Sequence, residues 1–158
     1  MKIVNLIDED FSNYKIPSMF IGFPHCTLKC DKECGECICQ NSELLTSKRI
    51  DISYKDIIKR YMDNNITHAI VMGGLEPFDS FYDLDNLISE FRKQTHDTII
   101  IYTGYYPKEI IVKLYVLKSC YHNIIIKFGR MIPHKETKFD ELLGVTLASD
   151  NQYSERIS

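Results

Sequence analysis

Continuous apolar stretches alternate with helix-like patterns along this chain of 158 residues. Stretches that are apolar throughout are typical of strands buried on both faces of a sheet. Five strands are predicted in this way, over residues 17–23, 67–72, 98–102, 123–126 and 144–148. Apolar positions at helical spacing predict three intervening helices, which begin near Ser53, near Asp79 or Ser80, and at Pro107. This alternation predicts an α/β fold with a parallel sheet of about five strands.

The pattern also predicts the less regular parts of the chain. Lys2 to Ile7 resembles a short edge strand, residues 8–14 a loop, and the tail after Ala148 is polar. In the third helix, Ile111 is expected to point inward together with Ile110, Leu114 and Leu117. A closed barrel of parallel strands needs about eight strand–helix units. The chain has too few, so an open sheet or an incomplete barrel is expected.

Composition narrows the possible functions. The length suits one domain over residues 1–158. A net charge of −3, with lysines and arginines scattered, gives no reason to expect nucleic acid as a partner. No apolar run approaches the roughly 20 residues that span a bilayer, so no membrane contact is expected. The N-terminus turns acidic too early for a signal peptide, which predicts a cytoplasmic protein.

The cysteines are concentrated in one loop, over residues 24–45, which directly follows the first predicted strand. Five of the six cysteines fall between Cys26 and Cys39. A disulfide framework is disfavoured in a protein without a secretory signal, whereas thiolates readily hold zinc, copper(I) or iron–sulfur clusters. Cys34-x-x-Cys37 has zinc-like spacing, so a non-catalytic, cysteine-rich metal-binding module is one alternative. Cys120 is expected to be a packed thiol.

Further motifs follow the later predicted strands. Met72-Gly-Gly-Leu-Glu-Pro77 has two glycines that let a ligand approach the backbone, followed by a carboxylate that can hold a cation. Taken alone, it is an ordinary strand-to-helix turn. Three shorter motifs complete the series: Ile101-Tyr-Thr-Gly-Tyr105, Lys127-Phe-Gly-Arg130 and Ser149-Asp-Asn-Gln152.

Together these motifs resemble the radical S-adenosylmethionine (SAM) superfamily, most closely the activating enzymes of anaerobic (class III) ribonucleotide reductase. The resemblance implies an incomplete radical SAM β/α barrel. It also implies a 4Fe-4S cluster held by three cysteines, the third followed by a variable residue and asparagine. Asn41 makes Cys39 that third ligand, beside Cys26 and Cys30. Eight residues separate Cys30 from Cys39, so Cys34 and Cys37 stay open as alternatives.

The resemblance also implies where SAM binds. Gly73, Gly74, Glu76 and Pro77 correspond to a Gly-Gly-Glu-Pro motif that binds the ammonium of the SAM methionine, with Leu75 inserted. The other implied cofactor-binding residues are Asn41, Thr103 and Gly129. Valine at position 74 is expected to exclude SAM from a protein that still folds and keeps its cluster.

The activity implied is reductive cleavage of SAM to a 5′-deoxyadenosyl radical. The substrate implied is a glycine of the anaerobic ribonucleotide reductase large subunit, with a flavodoxin- or ferredoxin-like protein as electron donor. The surface around residues 10–14, Tyr105 and Arg130 is expected to contact that partner. A radical SAM enzyme acting on a small molecule or peptide is the alternative, as is the non-catalytic metal-binding module.

Overall fold

A mixed six-stranded sheet forms the centre of the computed structural model, which describes residues 1–158. The strands, in chain order, are β1 (Lys2–Ile3), β2 (Asn5–Asp10), β3 (Ser18–Phe23), β4 (Ile50–Asp51), β5 (Ala69–Gly74), β6 (Thr98–Tyr102), β7 (Ile124–Phe128), β8 (Lys138–Asp140), β9 (Val145–Leu147) and β10 (Tyr153–Arg156). The helices are α1 (Lys29–Cys34), α2 (Tyr54–Met62), α3 (Phe81–Arg92) and α4 (Ile111–Cys120). No helix is both long and apolar enough to cross a bilayer.

The order of strands in the sheet confirms the α/β class and corrects the count of parallel strands. The order is β10-β7-β6-β5-β3-β2, in which the inner four strands are parallel and both edge strands are antiparallel. The predicted fifth strand instead pairs with β8 in a separate hairpin, and the polar tail supplies β10. Residues 8–10, predicted as loop, extend β2. Two free edges mean that the sheet is not a closed barrel.

The two faces of the sheet are covered differently. Side chains alternate along each strand, and one set packs against the helices in a core of 22 buried residues that includes Met72, Ile101 and Ile126. The opposite set, including Val71, Ile100 and Ile125, belongs to a smaller cluster of seven residues without any helical member. One face is therefore fully packed, and the other leaves space beside its small cluster.

Helix boundaries follow local signals, with one exception. Ser53 caps α2 as predicted, because its hydroxyl oxygen accepts a hydrogen bond from the Asp56 amide at 3.1 Å. Ile111 was expected to point inward, but 66% of it is exposed. The residues from Pro107 to Glu109 form a short 3-10 helix of their own. The start of α4 is therefore displaced along the chain, and Ile111 lies on its outer side.

Candidate functional site

A cavity of about 620 Å³ opens where β3, β5, β6 and β7 end. Loops that leave the carboxyl ends of parallel strands meet at this edge, which is the usual position of ligand sites in α/β proteins. The cysteine loop leaves β3, and the Gly73-Gly74 segment ends β5. Thr103 follows β6 and Gly129 follows β7. All of these segments contribute to the cavity wall.

Three of the five loop cysteines line this cavity. Cys26, Cys30 and Cys39 lie along its wall and are partly buried, whereas Cys34 and Cys37 are exposed and lie outside it. Cys120 is exposed as well, so its assignment as a packed thiol was wrong. The structure thus separates the cysteines into a set that faces the cavity and a pair that faces solvent.

Asp31 positions the third of these cysteines. Its Oδ1 accepts hydrogen bonds from the Ile38 amide at 3.0 Å and from the Cys39 amide at 2.9 Å. The loop therefore folds back across α1 and returns Cys39 to the cavity where Cys26 and Cys30 lie. Because hydrogen bonds to a charged acceptor each contribute about 1.5–3 kcal/mol, this turn is well fixed.

We expect Asp31→Ala to weaken the hold of Cys39 on a bound cluster. If the variant loses about 1.4 kcal/mol of the stabilisation that these hydrogen bonds give the turn, iron should be released to a chelator about tenfold faster. The measurement is the rate of iron release from anaerobically reconstituted protein, with Glu36→Ala as the control because this exposed residue lies in the same loop. Equal rates in the two variants would show that the Asp31 turn does not hold the loop.

Ion pairs attach α1 to the end of β7. The Arg130 guanidinium, which is only 4% exposed, lies 3.1 Å from a Glu33 carboxylate oxygen and 2.5 Å from one of Glu109. Lys29 also pairs with Glu109. The neighbouring cations hold the pKa of Glu109 down to about 2, although its partial burial acts in the opposite direction. The residues between Cys26 and Cys34 are thereby fixed against the rest of the site.

The backbone of β3 lies so close to Gly74 that it explains why this residue is glycine. Its φ is +81°, and a Cβ placed on it would lie 2.8 Å from Gly22 Cα and 3.0 Å from the Phe23 nitrogen. Its carbonyl accepts a hydrogen bond from Asn41 Nδ2 at 2.8 Å, which attaches the cysteine loop to β5. A side chain at position 74 would therefore collide with β3. We therefore expect valine at this position to disturb the fold, contrary to the expectation from the sequence.

Glu76 is a buried carboxylate held by three protein donors. Oε1 accepts hydrogen bonds from the Phe78 amide at 3.1 Å and the Thr103 hydroxyl at 2.8 Å, and Oε2 accepts one from the Gly104 amide at 2.9 Å. Burial raises its pKa to about 7 despite these donors. A carboxylate offers about four acceptor positions, so Glu76 retains acceptor capacity toward the cavity that it lines.

Glu76 should make stability fall as pH rises through the weakly acidic range. Its folded-state pKa is about 7 against an ordinary value of 4.5, so between these values the folded protein keeps a proton that the unfolded chain has released. The free energy of unfolding should decrease over this window by up to about 3 kcal/mol and then level off. Glu76→Gln should remove this decrease. Urea unfolding of cluster-free protein at several pH values measures it, and an equal slope in the variant would contradict the assignment.

The remaining predicted site residues have supporting positions. Pro77 is buried and begins the 3-10 helix that follows β5. The Thr103 hydroxyl is engaged by Glu76, so it braces that carboxylate. Gly129 has a φ of +98°, and its carbonyl accepts hydrogen bonds from Lys127 Nζ at 3.0 Å and Gln152 Nε2 at 3.1 Å.

The donor set fits a thiolate-held cluster. No group of three or more Cys, His, Asp or Glu side chains lies close enough together to hold a single metal ion. A zinc ion needs its donors within about 2.0–2.3 Å, whereas the ligands of a cubane bind different irons and stand further apart. Gly104 lies beside one of these thiols, since a Cβ on it would be 3.4 Å from Cys30 Sγ. Burial raises the pKa of Cys26 to about 11 and also raises that of Cys30, so cluster assembly must displace thiol protons.

The fold and the cavity define an α/β protein with three cysteines in a cavity at the carboxyl edge of its sheet. Comparison with family models agrees: residues 20–144 match the family described as "4Fe-4S single cluster domain". The match covers most of the chain, which therefore belongs to this family and carries a 4Fe-4S cluster-binding domain. Comparisons with curated proteins and with solved structures gave no match.

Three structural contributors to the site were not predicted from the sequence. Asp31 resembles any polar loop residue, and its contacts are seven and eight residues away. Glu109 resembles a helix-start acid, yet it pairs with Lys29 and Arg130. Lys127 is the single polar residue of an otherwise apolar strand. Of the three residues, Lys127 is the one that the sequence could have indicated, because lysine is rarely buried in a strand unless a partner is present.

Proposed function

We propose that this chain is a radical SAM enzyme whose 4Fe-4S cluster is held by Cys26, Cys30 and Cys39. The observation that carries the proposal is that these thiols line the same cavity as Gly73, Gly74 and Glu76. A cluster and a ligand bound by the strand-end backbone would therefore be neighbours. The assignment of Cys39 is supported by the Asp31 turn and by the exposure of Cys34 and Cys37.

The residues around the cavity suit a zwitterionic amino-acid group. Glu76 lines the cavity and retains acceptor capacity for an ammonium. Gly73 contributes backbone to the cavity wall, and a Cβ there would lie 3.2 Å from the Phe20 ring. Asn41 acts indirectly, because its amide holds the cysteine loop against Gly74. In this proposal Thr103 keeps Glu76 oriented, and Gly129 forms the wall beyond β7.

A reduced cluster held by Cys26, Cys30 and Cys39 would provide the one electron needed for reductive cleavage of SAM to methionine and a 5′-deoxyadenosyl radical. The chain binds and orients both groups and limits access of water. The test is anaerobic reconstitution with iron and sulfide, reduction with dithionite, and measurement of methionine and 5′-deoxyadenosine. Cys26→Ala is the control and should give neither product. A reconstituted cluster that neither binds nor cleaves SAM would refute the proposal while leaving the family assignment intact.

The substrate we propose is a glycine in the large subunit of an anaerobic ribonucleotide reductase, with a flavodoxin- or ferredoxin-like electron donor. The support is the family-like order of the motifs from Cys26 to Gln152 in a chain of this small size. Two exposed apolar side chains lie beside the cavity: Ile7 lines it and is 43% exposed, and Phe11, at 66% exposed, adjoins cavity-lining residues. Asp10, Tyr14 and Arg130, expected on the docking face, are buried, so that part of the expectation was wrong.

Reduced protein, SAM and the reductase, mixed anaerobically, should give a glycyl radical doublet in the EPR spectrum. Omission of SAM is the control. SAM cleavage without any radical on the reductase would favour the alternative of a radical SAM enzyme acting on a small molecule or peptide.

A further inference from the structure

Lys127 is a buried cation on the cavity side of the sheet. Residues 124, 126 and 128 of β7 belong to the large core, whereas Ile125 belongs to the small cluster on the opposite face. The alternation along β7 places Lys127 on the face of Ile125. It lines the cavity and is only 8% exposed.

The ammonium of Lys127 has few partners. Its single hydrogen bond is to the Gly129 carbonyl at 3.0 Å, although an ammonium has three donors. It takes part in none of the ion pairs of the chain. Arg130 is equally buried but has Glu33 and Glu109 beside it. Lys127 thus differs from its neighbour in having no carboxylate at ion-pair distance.

A buried charge without a counter-ion is unfavourable by several kcal/mol. We therefore expect negative charge near the Lys127 ammonium. Glu76 supplies part of this negative charge, although its carboxylate already accepts hydrogen bonds from three protein donors. Burial lowers the Lys127 pKa to about 8, and the groups that oppose this lowering are Glu76 and Cys30. Cys30 is one of the three thiols assigned to the cluster.

We propose that Lys127 is the internal counter-cation of the iron–sulfur cluster and raises its reduction potential. Three thiolates outweigh the positive charge of an oxidised cubane, and reduction adds a further negative charge. A fixed ammonium across the cavity therefore stabilises the reduced form more than the oxidised form. Net charge around a cluster is one of the main determinants of its potential. This inference rests on the proposed position of the cluster.

The test compares cluster midpoint potentials in Lys127→Met, which keeps length and loses charge, and in Lys127→Arg, which keeps charge. The control is Lys113→Met, because Lys113 also donates to a backbone carbonyl, that of Phe78, and lies outside the cavity. Redox titration followed by EPR and absorbance provides the readout. At the wild-type midpoint, Lys127→Met should lower the ratio of reduced to oxidised cluster about tenfold, a shift of about 59 mV for one electron. The arginine variant and the control should stay near wild type.

An unchanged midpoint in Lys127→Met, with or without weaker SAM binding, would overturn this inference, as would an equal shift in Lys127→Arg. If Lys127→Met retains no cluster, Lys127→Arg becomes the deciding variant. A wild-type potential in Lys127→Arg supports the role of the charge, whereas cluster loss in both variants overturns the inference. The absence of any 4Fe-4S signal in the wild-type protein would instead refute the proposed function.

Discussion

Alanine at Cys26, Cys30 or Cys39 should abolish the 4Fe-4S cluster, whereas alanine at Cys34 or Cys37 should leave it in place. The physical reason is position: the first three thiols line one cavity, whereas Cys34, at the end of α1, and Cys37, just after it, are exposed. Removal of one of three thiolates leaves an iron without its protein ligand, and the cluster becomes labile. Iron content and visible absorbance after anaerobic reconstitution measure the effect, with a drop from full occupancy to near zero expected.

The two exposed cysteines are the matched controls for this series, since each substitution has the same chemistry in the same loop. A cluster that survives Cys39→Ala but not Cys34→Ala or Cys37→Ala would reverse the ligand assignment. That outcome would mean that the Asp31 turn rearranges when iron binds, because this turn now directs Cys39 to the cavity.

Gly74→Ala should destabilise the fold by about 3 kcal/mol. A left-handed backbone conformation costs a residue with a Cβ about 1–2 kcal/mol. The Cβ would also meet Gly22 Cα at 2.8 Å, and overpacking of this kind adds about 1–3 kcal/mol. Urea unfolding of the cluster-free protein measures the change, since cluster loss would break two-state behaviour.

Gly35→Ala separates the two contributions to that change. Gly35 has a φ of +72°, but no atom lies within 4 Å of the position that a Cβ would take. This variant should lose only about 1–2 kcal/mol, from the backbone conformation alone. If both variants lose the same amount, the contact between Gly74 and Gly22 does not restrict position 74.

The sequence predicted the centre of the fold well and its edges poorly. The inner strands β3, β5, β6 and β7 are almost entirely apolar because both of their faces are buried, and this pattern is visible along the chain. The edge strand β10 is Tyr-Ser-Glu-Arg, which carries no such pattern. It is a strand only because β7 offers unpaired backbone groups beside it.

The candidate site likewise has features that the sequence predicted and features that only the tertiary structure decided. The sequence by itself determined its chemistry, because five clustered cysteines and a Gly-Gly segment after a strand are local features. Tertiary structure decided which cysteines face the cavity, since hydrogen bonds from the Ile38 and Cys39 amides to Asp31 turn Cys39 back across α1. It also decided that Gly74 must be glycine because of β3, and that Lys127 lines the same cavity as the three thiols. These outcomes depend on distances between segments far apart in the chain, and residue type and spacing do not encode such distances.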